Sequence, residues 1–170
     1  MLEAIILVAF PILVAFGGVS DLLTMKIPNR VSLLLASSFV FLAIVMNMPM
    51  EELGMHLAAG AIVLIVCFAM FAFGWMGGGD AKMASVIGLW FGLSTDLAAF
   101  TLVTAVYGML LTLGLLSFRN VVPVLPKPLQ QSWLMRIHHA KSGIPYGIAI
   151  AAAALQIYGQ SAWLTLAAKV

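Results

Sequence analysis

The stretch AIVLIVCFAMFAFGWMGGGDAKM, residues 61–83, begins with an unbroken apolar run and ends in three glycines, an aspartate and a lysine. A helix needs about 20 mostly apolar residues to cross a bilayer. The whole chain is similarly apolar, because 64% of its 170 residues are hydrophobic and only 8% are charged. Soluble domains carry about 25% charged residues. The sequence therefore predicts an all-α, polytopic membrane protein.

Six apolar segments are candidates for membrane spans, and together they predict one membrane domain over residues 1–170. The fourth segment is short, and it could begin inside the glycine loop that precedes it or lie directly against the fifth. The first lacks the positively charged start of a signal peptide, since its one charge is Glu3, and it is therefore expected to stay as a helix. The predicted spans are residues 2–20, 31–49, 57–76, 81–94, 97–117 and 144–165.

The positive charges lie almost entirely in alternate loops. The loops after the first, third and fifth spans hold seven of the eight lysines and arginines, whereas those after the second and fourth hold only acidic charges. Positive loops face the cytoplasm, so both termini are expected on the extracytoplasmic side. The seven residues are Lys26, Arg30, Lys82, Arg119, Lys127, Arg136 and Lys141.

Two aspartates, Asp21 and Asp80, fall at the cytoplasmic edges of different predicted spans, whereas the other acidic residues fall at an outer terminus or in outer loops. Charged groups at membrane depth are costly and usually functional. Two carboxyl groups that share a proton can activate a water and polarise a carbonyl, as in aspartic proteases. Simpler interpretations remain open: Asp80 could cap a helix, and Asp21 could pair with Lys26 or Arg30.

The three glycines before Asp80 favour the catalytic interpretation. Gly77, Gly78 and Gly79 would let a peptide backbone approach the carboxylate closely. Non-helical backbone at membrane depth is tolerated where it is buried or lines a wet cavity. The alternative is that these glycines form a tight turn or a close helix contact.

These residues resemble a known family. Gly77-Gly78-Gly79-Asp80 matches the G-x-G-D motif of intramembrane aspartic proteases. Asp21 followed by Ile27-Pro28-Asn29, together with Lys82 and the later stretch SGIPYG at 142–147, resembles the type IV prepilin peptidases. The order of these motifs spans essentially the whole chain.

The resemblance implies a bacterial inner-membrane endopeptidase with Asp21 and Asp80 as its catalytic pair. Such an enzyme removes the short basic leader of prepilins or pseudopilins at the cytoplasmic face, without a cofactor or a metal. Larger members carry paired C-x-x-C motifs and methylate the new N-terminus. The single cysteine, Cys67, makes the chain resemble the small, peptidase-only form of Flp (tight-adherence) pilus systems, for which methyltransferase activity is not expected. A homo-oligomer is compatible with the sequence, and nothing in it suggests nucleic-acid binding.

The remaining candidates have supporting roles. Lys82 is expected to stabilise the ionised pair or a substrate carbonyl, or to extend to lipid phosphates. Pro28 is expected to end the first helix and Asn29 to cap the second. Five residues are expected to belong either to a substrate groove or to the scaffold, namely Lys26, Pro28, Asn29, Pro145 and Tyr146. The helix dipole favours charge on Asp80 and a proton on Asp21, since these lie at a helix start and a helix end.

A second class of function uses the same carboxyl groups. A small proton- or ion-coupled transporter or channel also needs intramembrane aspartates. Such a relay requires ionisable groups spread through the bilayer depth. Because Asp21 and Asp80 are predicted at one face only, the sequence favours the peptidase.

Overall fold

The computed structural model describes residues 2–121, 132–139 and 143–167. Within these ranges the chain forms helices joined by short turns, with no strand, so the predicted all-α class is confirmed. The helices are α1 (Leu2–Thr24), α2 (Asn29–Val45), α3 (Met50–Ala72), α4 (Gly78–Phe91), α5 (Thr95–Val121), α6 (Ser132–His138), α7 (Tyr146–Tyr158) and α8 (Ala162–Ala167).

Three of these helices are long and apolar enough to cross a membrane, namely α1 over Leu7–Thr24, α3 and α5. The apolar helices α2 and α7 have 17 and 13 residues. At 1.5 Å per residue they are shorter than the roughly 30 Å of a hydrocarbon core. The count of six spans and the side on which the termini lie therefore stay predictions.

Several boundaries differ from the predicted ones. The segment predicted as 144–165 is divided by a turn at Gly159–Ser161 into α7 and α8. The second segment ends early because Asn47 takes a positive φ of 51°. Conversely, α3 begins at Met50, so Glu51 and Glu52 lie in its first turn rather than in a loop. Acidic side chains are stabilised there by the helix dipole.

An aromatic cluster forms the centre of the core. Phe10 of α1, Phe39 of α2, Trp90 of α4 and Tyr158 of α7 are all buried, with Trp163 of α8 beside them. The ring centroids of Phe10 and Trp90 are 4.9 Å apart, and those of Trp90 and Trp163 are 5.0 Å apart. This cluster joins five helices and fixes the far end of α4, whose first turn carries Asp80.

Many large apolar side chains face outward. Leu33, Ile44, Ile65 and Leu102 are each about 70% exposed. Soluble proteins rarely expose wide apolar surfaces of this kind. Their presence on α2, α3 and α5 fits a bundle surrounded by lipid.

Glycines allow close helix packing at two places in the bundle. A Cβ at Gly88 of α4 would lie 2.9 Å from Val63 Cγ2 of α3, and one at Gly18 of α1 would lie 2.6 Å from Ala151 Cβ of α7. Small residues at such crossings let membrane helices approach closely. The resulting contacts hold α4 against α3 and α1 against α7, which fixes the helix ends that carry the two aspartates.

Candidate active site

Asp21 lies in the last turn of α1 and is 94% buried. The helix stops just beyond it, because Met25 takes a positive φ of 57° while its N–H still bonds to Asp21 O at 2.7 Å. One carboxylate oxygen, Asp21 Oδ2, accepts a 2.8 Å hydrogen bond from the backbone N–H of Gly147. In the described part of the chain, this bond, rather than a pairing with Lys26 or Arg30, orients the Asp21 carboxyl group.

Asp80 lies in the first turn of α4 and is also largely buried. The N-cap of this helix is Gly77, so Asp80 is the third helical residue and not the cap itself. Its carboxyl group makes a hydrogen bond with the Gly77 backbone. However, Asp80 Oδ1 is buried with no hydrogen-bond partner among the described residues. A buried polar atom without a partner calls for an explanation beyond helix capping.

The glycines before Asp80 allow the loop after α1 to approach. A Cβ at Gly79 would lie 3.1 Å from Ile27 Cβ, and one at Gly77 would lie 2.9 Å from Asp80 Oδ2. Larger residues would push the loop and the carboxyl group away. These contacts show the close packing that glycine permits here, and the approach of a substrate peptide to this backbone stays a prediction.

The two aspartates line one cavity although they are 59 positions apart in the sequence. The cavity has a volume of about 270 Å³, and Met25, Lys26, Ile27 and Gly77–Gly79 complete its wall. Its polar groups come from the end of α1, the following loop and the start of α4. Water could therefore contact both carboxyl groups at once.

Asp80 lies outside the three candidate spans, and its ionisation is strongly affected by its surroundings. Burial raises the pKa of Asp80, and the negative charge of Asp21 raises it further, to about 7, against the opposing effect of the hydrogen bond to Gly77. Two carboxyl groups this strongly coupled release their protons as a pair. Near and just below this pH, Asp80 holds a proton beside the Asp21 carboxyl group, an arrangement that can supply both an acid and a base.

Lys82 and Asn29 form a contact that was not predicted from the sequence. Lys82 Nζ donates a 2.9 Å hydrogen bond to Asn29 Oδ1. The expectation that Asn29 caps α2 was wrong, because Pro28 is the N-cap and makes no side-chain cap bond. The expectation that Pro28 ends the first helix was also wrong, since α1 stops at Thr24, where the positive φ of Met25 follows.

Pro145 and Tyr146 lie outside the cavity that the aspartates line. Pro145 is fully buried and is the N-cap of α7. The Tyr146 hydroxyl lies 2.9 Å from the Thr112 hydroxyl of α5. Their contacts therefore correspond to the scaffold alternative, whereas the exposed Lys26 lies in the cavity wall. Gly147 was not among the predicted site residues, although it ends the SGIPYG stretch on which the resemblance partly rested.

No group of three or more histidine, cysteine, aspartate or glutamate side chains that could hold a metal occurs within the described ranges. The polar groups that the cavity brings together are the carboxyl groups of Asp21 and Asp80, with Gly147 N–H and the Gly77–Gly79 backbone beside them.

The chain is similar to known proteins over most of its length. Residues 7–115, which include both aspartates, match the type IV leader peptidase family. A prepilin leader peptidase/N-methyltransferase of Bacillus subtilis (strain 168) is 29% identical over 130 residues. The match covers 74% of this chain and 51% of the relative, so it spans about half of that protein's length. No solved structure matches the chain.

Proposed function

Since the chain belongs to the type IV leader peptidase family, we propose that it is a membrane aspartic endopeptidase that removes the leader from prepilins or pseudopilins. The observation that supports this most directly is that Asp21 and Asp80, from different helices, line one cavity. The proposal covers the peptidase step alone. Its substrate is a peptide with a short basic leader followed by a hydrophobic helix.

The reaction needs one ionised and one protonated carboxyl group. The ionised carboxylate takes a proton from water as the water oxygen attacks the scissile carbonyl carbon. The protonated carboxyl group gives its proton to the carbonyl oxygen, where negative charge develops. The tetrahedral intermediate then collapses. The carboxyl group that took the proton from water gives it to the leaving amine as the C–N bond breaks, and one hydroxyl of the intermediate returns its proton to the other carboxylate as the new carboxyl group forms. Each turnover consumes one water and returns the pair to its starting protonation state.

We assign the shared proton mainly to Asp80, which reverses the bias inferred from helix dipoles. Asp80 Oδ1 is buried without a partner among the described residues, so an ionised carboxylate there would lack compensation. Burial, and then the nearby charge of Asp21, raise the pKa of Asp80 to about 7, which also favours its protonated form. Asp21 Oδ2 is already held by Gly147 N–H, which leaves its other oxygen to act as the base.

Charge around the site supports a cytoplasmic active site in a bacterial inner membrane. Lys26 lies in the cavity wall, and Arg136 Nη2 donates to Leu23 O at 3.1 Å, close to Asp21 in α1. A separate cavity that includes Glu52 and Asp96 lies between the start of α3 and the α4–α5 turn. Because basic residues mark the cytoplasmic side, we place the aspartate cavity there.

A leader-cleavage assay tests the proposal. Purified protein in detergent is mixed with a prepilin that has a basic leader, and the shift in mobility is followed. We expect Asp21→Asn and Asp80→Asn each to lower the rate by at least about a thousandfold, as loss of a central catalytic group does. The matched control Asp96→Asn, outside the aspartate cavity, should cleave at the wild-type rate.

Two results would contradict the proposal. Wild-type protein that leaves every offered prepilin intact would rule out the peptidase activity. Appreciable cleavage by either folded single variant would rule out the two-aspartate mechanism. Circular dichroism of each variant in detergent establishes that the helices are retained.

A further inference from the structure

We propose that Gly147 and Tyr146 are positioning residues for Asp21. In this proposal, which rests on the proposed function, the Gly147 N–H holds the Asp21 carboxylate, and α5 fixes that N–H through the Tyr146 side chain. Neither residue needs to contact the substrate. The I-P-Y-G stretch then acts on catalysis through Asp21.

The contact between Gly147 and Asp21 leaves no space for a side chain. A Cβ at Gly147 would lie 2.8 Å from Asp21 Cβ, 2.8 Å from Asp21 Oδ2 and 2.8 Å from Ile27 Cδ1. Distances under 3 Å between such atoms force a movement of backbone or side chain. Glycine is therefore the residue that lets this N–H reach the carboxylate.

Tyr146 connects the same turn to α5. A Cβ at Gly108 would lie 2.8 Å from Tyr146 Cε1, so the ring sits in a notch that Gly108 leaves open. Thr112 Oγ1 donates its hydrogen to Gly108 O at 2.7 Å and lies 2.9 Å from the Tyr146 hydroxyl. Since a threonine hydroxyl has one hydrogen to give, Tyr146 is the donor to Thr112. The ring is thus held at both its edge and its hydroxyl.

The preceding residues of the turn are fixed by α5 as well. Arg119 Nη2 donates to Gly143 O at 2.7 Å and to Ile137 O at 2.6 Å. Pro145, between these contacts and Tyr146, is fully buried and limits φ at the start of α7. The backbone that leads to Gly147 N–H is therefore held at Gly143, Pro145 and Tyr146, which favours a fixed orientation of Asp21.

The chain offers matched controls for each contact. The Tyr107 hydroxyl donates to Gln156 Oε1, which also joins α5 to α7 but lies outside the aspartate cavity. A Cβ at Gly114 of α5 would meet no atom within 4 Å, in contrast to Gly108. Tyr107→Phe and Gly114→Ala therefore alter the same helices without changing the turn that holds Asp21.

The test combines steady-state kinetics with infrared spectroscopy on protein labelled with ¹³C in its aspartate carboxyl groups. The chain has three aspartates, and the Asp21 band is the one lost in Asp21→Asn. We expect Tyr146→Phe and Thr112→Val to lower kcat two- to tenfold with KM unchanged, which corresponds to one lost hydrogen bond. Gly147→Ala, which displaces Asp21, should lower kcat by about a hundredfold.

In these three variants the Asp21 carboxylate band should shift from its wild-type frequency. It should stay in place in Tyr107→Phe and Gly114→Ala. Thr112→Ser keeps the acceptor for Tyr146 and should behave as wild type in both measurements. Tyr146→Phe removes a single oxygen, so it keeps the test informative if Gly147→Ala does not fold.

Three outcomes would overturn the proposal. An unshifted Asp21 band in Tyr146→Phe and Gly147→Ala would show that the turn does not position Asp21. A rise in KM with kcat unchanged would indicate substrate contact instead. Equal effects in Tyr107→Phe would indicate general helix packing. Should wild-type protein fail to cleave prepilins, the proposed function fails, and the infrared comparison decides by itself whether the turn holds Asp21.

Discussion

Lys82 Nζ donates a 2.9 Å hydrogen bond to Asn29 Oδ1, which joins the N-terminal part of α4 to the first residue of α2. Lys82 is two residues after Asp80, and Asn29 follows the Ile27 loop that packs on Gly79. The bond therefore connects the two sequence motifs from which the aspartates come. A solvent-exposed hydrogen bond contributes little to the free energy of unfolding. It can nevertheless fix the position of one segment relative to the other.

We predict that Lys82→Met and Asn29→Ala are coupled. Each should lower the free energy of unfolding by under about 1 kcal/mol, since the bond is exposed. The double variant should lose less than the sum of the two, by roughly 0.5 kcal/mol or more. The free energy of unfolding is measured in detergent for wild type, the two single variants and the double variant. If the two single losses add up fully, the Lys82–Asn29 contact does not contribute to stability.

The rate of leader cleavage should fall above about pH 7. Asp80, whose pKa is raised to about 7, then loses the proton that the pair shares, and no acid remains to protonate the carbonyl oxygen. We expect kcat/KM to decline about tenfold per pH unit on the alkaline side. A profile from pH 5 to 9 checks this. A rate that keeps rising through pH 8 would contradict the shared-proton mechanism.

Asp80→Asn should change the pH dependence of stability. The folded pKa of Asp80, about 7, lies above its ordinary value of 3.8. Protonation of Asp80 therefore stabilises the folded protein. This contribution to the free energy of unfolding is fully present below pH 3.8 and is lost as the pH rises through 7. Because asparagine has no such ionisation, the Tm of the variant relative to wild type should be higher at pH 8 than at pH 5. A Tm difference that does not vary with pH would contradict this expectation.

The helical class and the two candidate aspartates could be predicted from the sequence because both depend on local pattern. Long apolar runs predict helices, and Asp80 stands out where charge is rare. The ends of the helices were harder to predict, because Met25 and Asn47 adopt a positive φ although neither is glycine. Gly147 was missed because its role depends on Asp21, 126 positions away in sequence. Tertiary contacts of that range leave no periodic signal in one chain.

Trp90 should be the most costly tryptophan to replace. It is fully buried, and its Nε1 donates to Leu35 O at 3.0 Å. Trp90→Phe removes packing volume and leaves a buried carbonyl without that donor, so we expect a loss of about 2–4 kcal/mol. Trp75→Phe is the matched control, because Trp75 is 71% exposed. Equal Tm values for the two variants in detergent would show that the aromatic cluster does not stabilise the fold.

Adding one methyl group to two different glycines should have opposite effects on stability. A Cβ at Gly88 would lie 2.9 Å from Val63 Cγ2, so Gly88→Ala should push α4 from α3 and cost about 1–3 kcal/mol. A Cβ at Gly54 of α3 would meet nothing within 4 Å. There alanine only improves helix propensity, so Gly54→Ala should stabilise by up to about 1 kcal/mol. Thermal unfolding of both variants in one detergent decides this. If Gly88→Ala is as stable as Gly54→Ala, the α3–α4 contact is looser than the structure indicates, and the position of Asp80 would then depend on the loops rather than on helix packing.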